Sequence, residues 1–147
     1  MHARQARADV VSRCPASLGQ LVGRVEQRIT RAVERVLASS GTNVEQWRVL
    51  DLLSDGEGHP MSEIARHAMV PPPTLTKIVD RLIDSALVYR RPDEVDRRRV
   101  LVMLSDHGRE FHERMAPEVA RAENEVTAEL TTADRDQLVR LLSGLAG

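Results

Sequence analysis

Three consecutive prolines at positions 71–73 restrict this chain more tightly than any other feature of its sequence. Each fixes its own φ and lacks an N–H donor, so the run cannot lie within a helix interior or a central strand. At the first turn of a helix those donors would have had no partner, so the prolines mark a helix start. The residues after them agree: Leu75, Ile78, Val79, Leu82 and Ile83 recur at helical spacing and form a buried stripe. Thr74, Thr76, Lys77, Asp80, Arg81 and Asp84 are left on the outward face, which is polar and mixed in sign.

Other segments carry equally local signals. Apolar residues at 18, 21, 22, 25, 29, 32, 33, 36 and 37 predict an amphipathic helix ending near Ser39-Ser40-Gly41. Thr42 or Asn43 then caps a second helix, with Glu45 or Gln46 in capping-box range and Trp47, Val49, Leu50, Leu52 and Leu53 on its apolar side. SDGEGHP is a turn cluster, and SEIARHAM a short helix in which Ile64, Ala65 and Ala68 share a face. Beyond the proline-led helix, LVYRRP and RRVLVML read as a hairpin whose long tip, DEVDR, is highly charged. Ser105 caps a helix carrying Phe111, Met115, Val119, Ala122, Val126 and Leu130, with Pro117 placed to kink it; Thr131 or Thr132 caps a last one with Leu138, Leu141, Leu142 and Leu145.

Four helices, a hairpin and two more helices make a mainly α fold with a small β-hairpin, the layout of a winged helix-turn-helix. The first, fifth and sixth helices carry apolar stripes too long for the middle section to cover, which predicts a partner chain. The expected organisation is a single domain over 1–147, with dimerisation helices at 17–40 and 105–147 flanking a DNA-binding lobe at 43–104.

Composition bears on function mainly through exclusion. With 147 residues, 41% of them hydrophobic, the chain suits one packed core and is too apolar for a disordered protein. Cys14 is the only cysteine, which rules out an internal disulfide framework; as a thiol beside Arg13 it is a redox-sensor candidate, though an incidental cysteine is the better reading. No signal-like or membrane-length apolar run occurs, so a cytoplasmic protein without a membrane partner is expected. His107 and His112 lie five apart, about 140° around a helix rather than on one face, so they do not form the four-apart metal pair. No phosphate loop or GxSxG is present, and neither a metal, a cofactor nor catalysis is expected. The net charge of −1 hides segregation: residues 1–36, 37–70, 71–103 and 104–147 carry +4, −3, +2 and −4. One cationic surface on a nearly neutral molecule is therefore possible.

Residues 45–111 resemble the MarR family (multiple antibiotic resistance regulators), most specifically in PTLTKIVDRL, LVYRRPDEVDRR and LSDHG. The resemblance implies a homodimer on double-stranded DNA with a pseudo-palindromic operator, a recognition helix in the major groove and a wing in the minor groove. Carried onto this chain, groove contacts fall to Pro72, Pro73, Thr74, Thr76, Lys77 and Arg81, and the wing-tip pair to Asp96 and Arg98. Met69, Pro71 and Pro72 stand where the family often has Gly, Ser and Arg, and Ala86 where it usually has Gly, so the usual hydroxyl cap of the recognition helix is missing.

The chemistry fits that assignment. Short hydroxyls and long cations suit phosphate and base edges, although a solvated face with Lys77 paired to Asp80 or Asp84 would look the same. A guanidinium fits a narrow minor groove, so Arg98 enters it with Asp96 holding it in position, while Arg90, Arg91, Arg97 and Arg99 anchor phosphates. A hairpin edge protected by charge is the plainer alternative. The family often has a small-molecule pocket beside its dimer helices, which points to Arg24 or Arg28 for an anionic effector and Trp47 as pocket lining for an aromatic one. A salt-bridged face for the arginines and a core position for Trp47 are the simpler readings. The expected function is a dimeric DNA-binding repressor released by a small-molecule effector; the rival is a helical protein-interaction module that uses its winged domain without binding DNA.

Overall fold

The computed structural model describes residues 16–147, so Cys14 lies outside the described residues. Helix α1 (Leu18–Leu37) opens on a capping box in which Ser17 accepts from the Gln20 N–H and Gln20 accepts from the Ser17 N–H. It closes through a 3₁₀ turn, Ala38–Ser40, onto Gly41 at φ 71°, the left-handed conformation glycine adopts without strain. Asn43 and Gln46 form the second capping box, at 2.8 and 3.1 Å, and start α2 (Val44–Leu53). After β1 (His59–Pro60) come α3 (Met61–Ala68) and α4 (Pro72–Asp84). Pro71 is the extended residue before α4, with Pro72 and Pro73 inside its first turn and no side-chain cap. Strands β2 (Val88–Pro92) and β3 (Val100–Leu104) lead to α5 (Asp106–Val126), capped by Ser105, and α6 (Thr132–Ala146), capped by Thr131.

The wing is a three-stranded antiparallel sheet in the order β1-β3-β2, one strand more than the expected hairpin. β2 and β3 pair from Val88↔Leu104 to Pro92↔Val100, while His59↔Val102 and Pro60↔Leu101 add the outer strand. Pro60 can occupy it because an edge strand need not donate on its free side. Val49, Leu50 and Leu53 from α2, Ile64 from α3, Leu75, Val79 and Leu82 from α4 and Val102 from β3 make the solvent-free centre of the core, joined by Leu37 of α1.

The apolar stripe of α5 is covered from within, contrary to expectation. Phe111, Met115, Val119 and Ala122 are buried, and α1 supplies Ala32, Val33 and Leu37 opposite them. Leu130 falls outside the helix, which ends at Val126, and Pro117 lies inside α5 without ending it. What stays uncovered is the first half of α1, where Leu18, Leu21, Val22 and Val25 are exposed, together with α6, none of whose residues is buried. Leu138 and Leu142 of α6 share an apolar groove with Leu21, Val22 and Val25.

Two junctions position the lobe. Met69 and Ala86, at the two ends of the α4 segment, adopt φ of 56° and 59°, left-handed values that strain a residue with a Cβ. At the start of α5, Ser105 donates its hydroxyl to the Ala86 carbonyl (2.6 Å) and its N–H to the Leu87 carbonyl (3.0 Å), while accepting from the Gly108 N–H (2.9 Å). Gly108 packs so closely that a Cβ there would run into the Leu87 carbonyl oxygen and sit 2.7 Å from Leu104 Cδ1.

His59 is held between two carboxylates, Nε2 at 2.7 Å from Asp55 and Nδ1 at 3.0 Å from Glu63. Burial disfavours its charge, but hydrogen bonds and attraction from Glu63 and Asp55 outweigh that and raise its pKa. Burial acts against Asp55 as well, and is outweighed by the Glu57 N–H and His59, which lower its pKa. His59 therefore contributes stability in full below about pH 6.5, its unfolded value, and loses it as pH rises through the higher folded value. Asp55 contributes above its unfolded value and loses that contribution as pH falls through the folded one. Urea midpoints should fall between pH 6 and 8.5, within about 1 kcal/mol given the half-exposed carboxylates, and His59→Gln should abolish that fall; an unchanged pH profile would exclude the account.

Candidate nucleic-acid interface

The buried stripe of α4 fixes what its other side can offer. Leu75, Ile78, Val79 and Leu82 point into the core, so Pro72, Pro73, Thr74, Thr76, Lys77 and Arg81 are all exposed along one surface. Among the described residues neither Lys77 nor Arg81 has a carboxylate within ion-pair distance, so the expected alternative of a Lys77 pair with Asp80 or Asp84 is not formed. Thr76 donates its hydroxyl to the Pro72 carbonyl (3.2 Å), which leaves its lone pairs free to accept.

The wing tip is shaped by two successive aspartates bonding the backbone two residues on. Asp93 accepts from the Val95 N–H (3.0 Å) and Asp96 from the Arg98 N–H (3.1 Å). Backbone bonds from Asp93 N–H to the Arg99 carbonyl and from Arg99 N–H to the Asp96 carbonyl, both 2.9 Å, close the loop. Asp96 thus holds Arg98 by its main chain and leaves its guanidinium free. Asp93 builds the first half of the tip. Arg97, Arg98 and Arg99 stand exposed with no carboxylate at ion-pair distance among the described residues, and Val95 is 96% exposed between the two turns.

The remaining wing arginines differ from these. Arg90 donates to Asp80 of α4 at 2.8 Å, so it is already partnered. Arg91 is half-buried, and its Nε is shielded from solvent without a hydrogen-bond partner, so any phosphate contact falls to the Nη end of its guanidinium.

The three effector candidates are not brought together. Arg28 lines an open groove between α1 and α5 with Arg31, Arg35, Glu34 and Glu125, while exposed Arg24 is not among its lining residues. Trp47 is buried elsewhere, stacked on His112 with ring centroids 5.0 Å apart and planes 7° from parallel. His112 Nε2 reaches Asp51 at 2.8 Å, tying α5 to α2. Desolvation, then Asp51, pushes the nearby Glu123 carboxyl up, partly offset by Arg135, so this seam is acidic. The Asp51–His112 link spans two distant helices, and no local pattern announces it.

No helix among the described residues is long and apolar enough to cross a membrane. The model of the MarR family matches residues 42–100, the stretch that contains α4 and most of the wing. The chain is 33% identical over 121 residues to the HTH-type transcriptional repressor IacR of Pseudomonas putida, covering 82% of this chain and 72% of that protein. It is 30% identical over 161 residues to the transcriptional activatory protein BadR of Rhodopseudomonas palustris, covering 99% and 90%. The crystal structure of the Mycobacterium tuberculosis MarR family protein Rv2887 in complex with p-aminosalicylic acid matches with a TM-score of 0.75 at 28% identity, over 90% of this chain and 100% of that one. Family model, relatives and fold agree: the chain belongs to the MarR family of transcriptional regulators.

Proposed function

We propose that the chain acts in the cytoplasm as a homodimeric, sequence-specific DNA-binding repressor that a small molecule releases from a pseudo-palindromic operator. One observation carries the DNA reading: Lys77 and Arg81 on α4 and Arg97, Arg98 and Arg99 on the wing are exposed cations without ion-pair partners among the described residues. A polyanion is the partner such a surface suits, with α4 in a major groove and the tip in the adjoining minor groove. The uncovered first half of α1 and α6 support residues 17–40 and 105–147 as the dimer helices, with 43–104 as the lobe. The repressor sign follows IacR, and BadR is the reminder that the same fold carries activators.

For the effector, an aromatic acid is favoured, since Rv2887 is solved with p-aminosalicylic acid. Asp51, bonded to the His112 that stacks on Trp47, disfavours an anion there. The Arg28 groove, with three guanidiniums against two carboxylates, suits its carboxylate better. Release then requires tighter effector binding to a lobe spacing that no longer fits two successive major grooves.

Selection from a random-sequence duplex pool, followed by titration across salt, tests the reading. The wild-type protein should enrich a pseudo-palindrome and bind it with strong salt dependence. Arg98→Ala should weaken that binding about 5- to 100-fold, the range of one specific contact. Unchanged binding by Arg98→Ala would remove the wing assignment, and failure to bind any duplex would favour a protein-interaction module.

A further inference from the structure

The Asp80–Arg90 contact stands out among the described ion pairs because it joins the recognition helix to the wing. Asp80 lies on the outward face of α4, between Lys77 and Arg81, which have no ion-pair partner among the described residues, and Arg90 lies on β2 opposite Val102. Their bond is 2.8 Å long, and the side chains are 42% (Arg90) and 54% (Asp80) exposed. A pair this open to water adds little to stability. Its consequence lies in where it puts charge.

We propose that Asp80 is a positioning and specificity-determining residue of the interface, an inference that rests on the DNA-binding reading above. One Nη of Arg90 is engaged by Asp80, while the other donors of its planar fork stay available to a phosphate. Held this way, Arg90 meets the backbone at one fixed offset from α4, so a phosphate contact on the wing sets the register of the helix in its groove. In a loose, unseated encounter the fork cannot reach its phosphate in that orientation. The Asp80 carboxylate then offsets the attraction of Arg90 for the polyanion. A seated complex gains from the pair and an unseated one loses, and a ratio of specific to non-specific affinity measures that difference.

The test uses the full-length protein, a mixed-sequence duplex and the duplex that the wild-type protein selects from a random pool, each titrated across KCl by fluorescence anisotropy. Asp80→Asn should bind the mixed-sequence duplex about three- to tenfold tighter at low salt, with a salt slope steeper by about 0.9, one more neutralised phosphate. Its affinity for the selected duplex should rise less or fall, so the ratio drops. Arg90→Lys, which keeps the charge without the fork, should retain mixed-sequence binding and lose affinity for the selected duplex. In an Arg90→Gln background Asp80→Asn should still strengthen binding to both duplexes by removing a negative charge, but should no longer change their ratio. An unchanged ratio and slope for Asp80→Asn, or a drop in the ratio that persists in the Arg90→Gln background, would overturn the proposal while leaving DNA binding intact. A wild-type protein without salt-dependent duplex binding would instead overturn the reading beneath it.

Discussion

Leu142→Glu is expected to leave a folded monomer that has lost operator affinity by a factor of about 10²–10⁴, the gain ordinarily provided by linking two binding modules. Leu142 is 41% exposed and lies in the apolar groove with Leu138 and the Leu21–Val25 side of α1. Within its own chain the substitution loses only part of the contact with α1, because α6 contributes no buried residue to the core. In a dimer that covers this groove, the same carboxylate would be desolvated without a partner, which an interface cannot absorb. Circular dichroism should therefore show a helical, cooperatively melting protein, while light scattering reports half the wild-type mass. A variant that stays dimeric and binds normally would place the interface elsewhere.

Gly108→Ala is expected to lower stability by about 2–3 kcal/mol, the upper range for overpacking a tight site, or roughly 5–10 °C in Tm for a chain of this size. The Leu104 side chain can shift away from the added methyl, but the backbone it meets cannot. The methyl meets the Leu87 carbonyl oxygen, and that oxygen is pinned because it accepts from the Ser105 N–H at 3.0 Å. Relief requires the first turn of α5 to move off the end of the α4 segment, breaking the Ser105 links to Ala86 and Leu87 together. The strain enters where the lobe joins the α1/α5 pair, so operator affinity should fall along with stability. A thermal melt and an anisotropy titration check both, and a melting point within 2 °C of wild type would show that the junction yields.

Much of this fold was legible because its strongest constraints are local. The prolines at 71–73 mark the start of α4 whatever packs around it, and Asn43, Ser105 and Thr131 cap helices by bonds that span three residues. What escaped was short or non-local. β1 is two residues long, too brief to show a period, and its turn-rich sequence SDGEGHP is a turn for most of its length. Covering the α5 stripe depends on α1, some eighty residues earlier in the chain, and an apolar stripe reads the same whether its partner is its own chain or another. At the interface, the exposed residues of α4 followed from periodicity alone. The partners of Arg90 and Arg98 did not, because one spans a helix and a strand and the other is a main-chain group.

Helix α6 has one more consequence. Fifteen residues without a buried face are marginal as a free helix in water, so its order is borrowed from whatever covers it. With a second copy as the cover, dilution below the dimer dissociation constant separates the chains and frees a flexible tail that proteases can cut. On the proposed dimer, abundance and lifetime would rise and fall together, with unpaired chains cleared faster than paired ones.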